Sequence, residues 1–199
     1  MSEGVYCDRN IYLIISYNMV QTTKTYTRKH NKTKKHKFIK ASTGGMKKHA
    51  LISQDNKYRY QLSRIWDEEK PMVLFIMLNP STADADVDDP TIRRVVNFAK
   101  SWGYGGIYVG NLYAFRSSDP KTLRDVDDPI GEDNIQHIQF LIGLTERVIY
   151  AWGNNKKEPE WLRDLVERPY CIDISKKGIP KHPLYLKKDL EPKLYVRDL

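Results

Sequence analysis

The stretch Val73–Asp89, VLFIMLNPSTADADVDD, decides the fold. An apolar run, Val73–Leu78, stops abruptly at Asn79-Pro80-Ser81-Thr82. A short apolar run bounded by turn residues reads as a buried strand. In an open α/β sheet, ligands bind beyond the carboxyl ends of such strands, so Asn79 stands where an α/β enzyme places its first catalytic group. Two later runs end the same way, Ile107-Tyr108-Val109-Gly110-Asn111 and Val148-Ile149-Tyr150-Ala151-Trp152-Gly153, and His182-Pro183-Leu184 follows near the end.

Working outward, Tyr58–Leu62 alternates as an entry strand does before Glu68-Glu69-Lys70-Pro71 breaks the pattern. Beyond the deciding stretch, Pro90–Trp102 predicts a helix, with Asp88 and Pro90 suited to its start and Gly103 to its end. Ile107–Asn111 is the next strand. After a loop with Asp119-Pro120 and Asp128-Pro129, helical spacing of Ile135, Ile138, Leu141 and Ile142 predicts a second helix over Gly131–Leu144. Arg147–Trp152 predicts a third strand, Pro159–Glu167 a short helix and Tyr170–Ile174 a fourth strand. Strands alternating with helices imply parallel pairing with helices on both faces. The expectation is an α/β fold with one catalytic domain over residues 50–199.

Charge marks off the rest. The chain of 199 residues carries a net +8, but residues 24–48 alone carry +10 with no acid. Residues 1–49 therefore read as a basic arm, rich in Lys and Thr and too poor in large apolar residues to repay ordering, hence flexible. Such a segment gains affinity for nucleic acid by releasing counterions. A solvated tail is the alternative. The apolar run Ile11–Tyr17 falls short of the roughly 20 residues that cross a bilayer, and no small-residue cleavage site follows it. A soluble cytoplasmic protein without membrane association is expected, working as a monomer. Cys7 and Cys171 lie far apart and support neither a disulfide framework nor a zinc site, and no cofactor is expected.

The acidic run Asp84, Asp86, Asp88 and Asp89 admits two readings. Close carboxylates beside a phosphate can hold a divalent ion, which would make a metal-dependent nuclease. Asp88-Asp89-Pro90 also reads as a helix cap, with Asp84 or Asp86 left to activate water. Thr82, Arg93, Arg94 and Lys181 are candidate DNA contacts, the arginines by guanidinium pairing with phosphate. His30, His36 and His49 lie in the basic arm and His137 on the second helix, without comparable context.

In the order of these motifs, over roughly residues 70–186, the chain resembles the uracil-DNA glycosylase superfamily. The matching positions are Asn79-Pro80, Asn111, Trp152-Gly153 and His182-Pro183. It is also similar to a bacterial and phage domain family of unknown function marked by LNPSTAD, DDPTIRR, WGYGG, AWG and PKHPLY. The superfamily resemblance implies a three-layer α/β/α sandwich around a four-stranded parallel sheet. It further implies hydrolysis of an N-glycosidic bond in DNA, leaving an abasic site.

That reaction passes through a cationic sugar and an anionic base. Asn79 would orient a water beneath the sugar carbon, although an amide cannot take its proton as a carboxylate can. The resemblance places Asp there in the faster uracil enzymes and Asn in the mismatch-type and single-strand-selective branches, implying a slower, more leaving-group-dependent reaction. His182 would donate to the pyrimidine carbonyl as negative charge develops. Asn111 would read the edge of the flipped base. Ser81 stands where the uracil-specific relatives carry a tyrosine that closes off the pyrimidine C5 position. A small residue there implies room for a bulky substituent, as in hydroxymethylated or glucosylated pyrimidines of phage DNA, unless Tyr113 or Phe115 fills the space. Antiviral defence or repair would be the role. A non-catalytic nucleic-acid-binding module is the competing reading.

Overall fold

The computed structural model describes residues 36–43, 45–81, 88–153 and 156–197, and these fold around one mixed sheet of eight strands. In chain order the strands are β1 (Lys37–Thr43), β2 (Met46–Ile52), β3 (Arg59–Ile65), β4 (Met72–Met77), β5 (Gly106–Asn111), β6 (Arg147–Tyr150), β7 (Tyr170–Cys171) and β8 (Lys193–Leu194). Three α-helices intervene: α1 (Pro90–Ser101), α2 (Asn134–Gly143) and α3 (Glu160–Leu165). The strands lie in the order β1-β2-β3-β5-β4-β6-β7-β8.

Strand β4 is the pivot. It pairs in parallel with β5 on one side and β6 on the other, and β6 pairs in parallel with β7. Its residues alternate between two cores, as the period of a strand requires. Val73, Phe75 and Met77 pack against Ile92, Val95, Val96, Phe98 and Ala99 of α1. Leu74, Ile76 and Leu78 pack against Ile138 and Leu141 of α2 and Leu162 of α3. Helices thus cover both faces of the parallel region, which is why β4 is apolar at every position. Burying a side chain of this kind contributes about 1.5–3 kcal/mol.

Local chemistry sets the helix ends. Asp89 caps α1 from an extended backbone, its carboxylate accepting the Ile92 N–H at 2.7 Å, and Pro90 occupies the first turn. A cap of this kind contributes about 1 kcal/mol. Gly103, at φ +84°, takes the left-handed conformation that ends the helix.

The α/β class agrees with the sequence, but the sheet does not stop at four parallel strands. The parallel set β5-β4-β6-β7 is extended by antiparallel pairing at both ends, through β3, β2 and β1 on one side and β8 on the other. Residues 1–35 of the expected arm lie outside the described residues, whereas residues 37–43 and 46–52 form a hairpin rather than a tail. Ala50 and Ile52 bury their side chains with Ile39 against them, Lys48 on the same face reaches Asp88, and Lys37 and Lys40 on the edge strand β1 discourage further strand pairing. The fourth parallel strand is shorter than expected, ending at Cys171, which is free and fully buried. No described helix is long and apolar enough to cross a membrane.

Candidate functional site

Because β4, β5 and β6 are parallel, the loops that follow them leave one edge of the sheet. From β4 the chain moves towards β5, and from β6 it moves the opposite way towards β7, so the crevice opens between the ends of β4 and β6. Asn79 stands just past the end of β4, Asn111 closes β5, and Trp152-Gly153 follows β6.

The Asn79 amide is held by its nitrogen. Nδ2 donates to the Ser117 carbonyl at 2.8 Å and to the Pro80 carbonyl at 3.1 Å. Two carbonyl acceptors on that atom fix the amide's orientation and leave Oδ1 as its acceptor, the atom that can receive a hydrogen bond from water.

Asn111 shares the parity of Ile107 and Val109, which places its side chain on the α1 side of the sheet. It is 2% exposed, and its Nδ2 has no hydrogen-bond partner among the described residues. An unsatisfied buried donor costs about 1–3 kcal/mol.

His182 caps the short turn Pro183–Tyr185, which packs against α1. Its Nδ1 accepts the Leu184 N–H at 3.4 Å, which assigns the proton of the neutral ring to Nε2. Burial lowers its pKa below the ordinary value, and the nearby Asp89 carboxylate opposes that shift. Near neutral pH the ring is therefore neutral, with Nε2–H as a donor. Behind it lies Gly153, whose N–H donates to the Pro180 carbonyl at 3.0 Å.

Asp89 ties the end of β4 to the start of α1. One carboxylate oxygen caps α1 and the other accepts the Ser81 hydroxyl at 2.7 Å. Asp88 is engaged as well: it lies 2.7 Å from Nε of the fully buried Arg64 and 3.9 Å from the Lys48 ammonium. Both carboxylates thus hold the fold together, so the nuclease reading would rest on Asp84 and Asp86. Those two, with Thr82, fall outside the described residues.

The remaining candidates spread out. Arg93 is exposed and donates to the Asp88 carbonyl at 2.6 Å. Arg94 lies 4.9 Å over the Phe98 ring and donates to the Leu186 carbonyl, tying α1 to the segment after His182. Lys181 pairs with Asp173 at 2.7 Å. Phe115 packs edge-on against Tyr58 with centroids 5.7 Å apart. Tyr113 packs with the α2 and α3 side of the sheet, opposite the α1 side. Trp152 is fully buried against Tyr150 and donates to the Lys156 carbonyl at 2.8 Å, as a packing residue does.

Two histidines that lack context in the sequence acquire it in the fold. His36 lies 3.2 Å from Asp133, and the His137 ring packs on Tyr60 while its Nδ1 lies 3.0 Å from Gln61 Nε2. Burial, reinforced by His36, lowers the His137 pKa to about 4. Only tertiary pairing brings these groups together, so no local signal could have found them.

No curated protein matches the chain. A family model with the description "Protein of unknown function (DUF1643)" matches residues 59–184, from the start of β3 to the turn that carries His182, and the chain belongs to that family.

Proposed function

We propose that the protein is a monofunctional DNA glycosylase, related to the uracil-DNA glycosylase superfamily, that hydrolyses the N-glycosidic bond of a modified base and leaves an abasic site. The parallel set β5-β4-β6-β7 with helices on both faces supports this reading, as the core to which four further strands are added. The observation that carries it is the buried Asn111 Nδ2, without a partner among the described residues, at a strand end on the same edge as Asn79 and near His182.

Each group has a task in this reading. Asn79 Oδ1 accepts from a water and orients it towards the sugar carbon. His182 Nε2–H donates to the base carbonyl as it gains negative charge, which a positioned donor can assist by several kcal/mol. Asn111 Nδ2 donates to an acceptor on the flipped base. Ser81 is small, and with its hydroxyl turned to Asp89 it leaves space for a C5-modified pyrimidine such as hydroxymethylated or glucosylated cytosine. Excision of such bases from phage DNA would serve antiviral defence or repair.

Mass spectrometry of free bases released from unmodified and modified phage DNA tests this. A released base with an intact backbone is the expected result. Strand cuts without a free base, or DNA affinity without any release, would overturn it.

A further inference from the structure

We infer that a second hollow, beside the candidate site and on the opposite face of the sheet, binds one nucleotide unit, with its base on Tyr113 and Trp161 and its phosphate on Lys156 and Lys157. Its place as a neighbour of the target base rests on the glycosylase reading, but its chemistry does not. The cavity measures about 80 Å³, and Tyr113, Ile130, Pro159 and Trp161 give it apolar walls. Lys156 and Lys157 line it as well. The Lys156 ammonium stands 5.6 Å from the centre of the Tyr113 ring. Both lysines are exposed, and neither pairs with a carboxylate among the described residues.

These walls select a class of ligand. Two aromatic side chains in a largely apolar lining suit a flat ring and offer little to a polyhydroxylated one. Two ammonium groups at the same place, with no carboxylate partner among the described residues, suit an anion carried by that ring. A base with its phosphate meets both demands, and stacking on aromatic side chains accepts any base.

The connection to the candidate site runs through backbone hydrogen bonds. Tyr113 N–H donates to the carbonyl of Leu78, the residue before Asn79, at 3.0 Å. Lys156 N–H approaches the carbonyl of Gly153, the residue against His182, at 3.4 Å. Leu78 faces the α2 side, and Met77 and Asn111 face the α1 side. A strand of nucleic acid laid over the ends of β4 and β6 would therefore place one nucleotide in the crevice and a neighbour in this hollow. A free mononucleotide has the same chemistry, so the source is decided by experiment.

The test titrates the full chain with a short oligothymidylate and, separately, with thymidine monophosphate. Binding is followed by oligonucleotide anisotropy and by tryptophan quenching, with Trp161→Phe identifying the responding indole. The expected result is that Lys156→Ala/Lys157→Ala and Tyr113→Leu each weaken binding roughly tenfold, the lysine variant also flattening the salt dependence. Loss with both ligands means the hollow accepts the unit from either source; loss with the oligonucleotide alone assigns it to the strand. Unchanged affinity of both variants for both ligands, at retained thermal midpoints, would overturn the inference. Base release is scored separately: a chain that binds through this hollow but frees no base would sink the glycosylase reading and leave this one standing.

Discussion

Gly153 and His182 are in contact at a point where only glycine fits. Gly153 has φ +63°, and a Cβ built on it would approach the His182 Cβ to 3.0 Å. Its left-handed backbone already disfavours a side chain by about 1–2 kcal/mol. We predict that Gly153→Ala lowers the thermal midpoint modestly, displaces the His182 ring and reduces base release about tenfold. Single-turnover assays at saturating DNA provide the measurement. Undiminished release would mean that His182 needs no support from behind.

Asp88 and Arg64 form an ion pair at the start of α1, with Arg64 fully buried and the Asp88 side chain 19% exposed. Removing the carboxylate takes the charged acceptor from the buried Arg64 Nε, which for this partly screened pair costs about 2–3 kcal/mol. Asp88→Ala should therefore be strongly destabilising in urea. The double variant Arg64→Met/Asp88→Ala should recover most of the loss, since a well-packed apolar replacement is often neutral. If the double variant is less stable than Asp88→Ala alone, the pair is not what makes Asp88 matter.

These two relationships show where sequence reading ends. The strands β4, β5 and β6 and the helix α1 were legible because an apolar run, a period or a cap marks each one locally. Asn79 and Asn111 were legible as candidates because each stands at the end of such an element, and His182 because the resemblance carries a His-Pro pair there. Hairpin β1-β2 was hidden by its lysines, which charge counting assigns to a tail. The local signal was there: Gly-Gly between two runs reads in sequence as a two-residue hairpin turn, and Gly45 takes φ +79°. Strand β8, only Lys193-Leu194, has no pattern of its own and exists through its pairing with β7. Contacts such as Arg64 with Asp88 or His36 with Asp133 join residues that no local pattern relates.

His137 predicts a pH dependence of stability. In the fold its pKa drops from 6.5 to about 4, through burial and the neighbouring His36, against a smaller opposing effect of Asp133. Tyr60 and Gln61 are the other groups that face it. A depressed folded value means that the unfolded chain takes the proton first. Stability from the neutral ring is present above about pH 6.5 and is lost as pH falls towards 4, to a total of about 3 kcal/mol. Urea midpoints should fall across that window, and His137→Gln should flatten the decline. Equal slopes in the two proteins would remove His137 as the cause.

Ser81 predicts substrate choice. Its hydroxyl bonds the capping carboxylate of Asp89 at 2.7 Å, so Ser81→Ala should cost about 1 kcal/mol of stability with little effect on selectivity. Ser81→Tyr adds a ring instead. Excision of glucosylated cytosine should fall at least tenfold more than excision of unsubstituted uracil in matched duplexes. Equal losses on both substrates would show that this position does not set base choice.

Asn111 separates stability from function. Its Nδ2 is buried without a partner among the described residues, so the folded protein carries a cost of about 1–3 kcal/mol that an acceptor on the bound base would relieve. Asn111→Leu removes the unsatisfied donor and keeps a similar volume beside Met77, its neighbour on β4, and the α1 core. The variant should melt at the same temperature as the parent or higher, yet lose base release by at least a hundredfold. A purely structural asparagine would behave the other way, since its replacement would lower the melting temperature and spare the reaction. Calorimetry and free-base assays on one preparation distinguish the two, and a stable variant with full release would exclude Asn111 from base recognition.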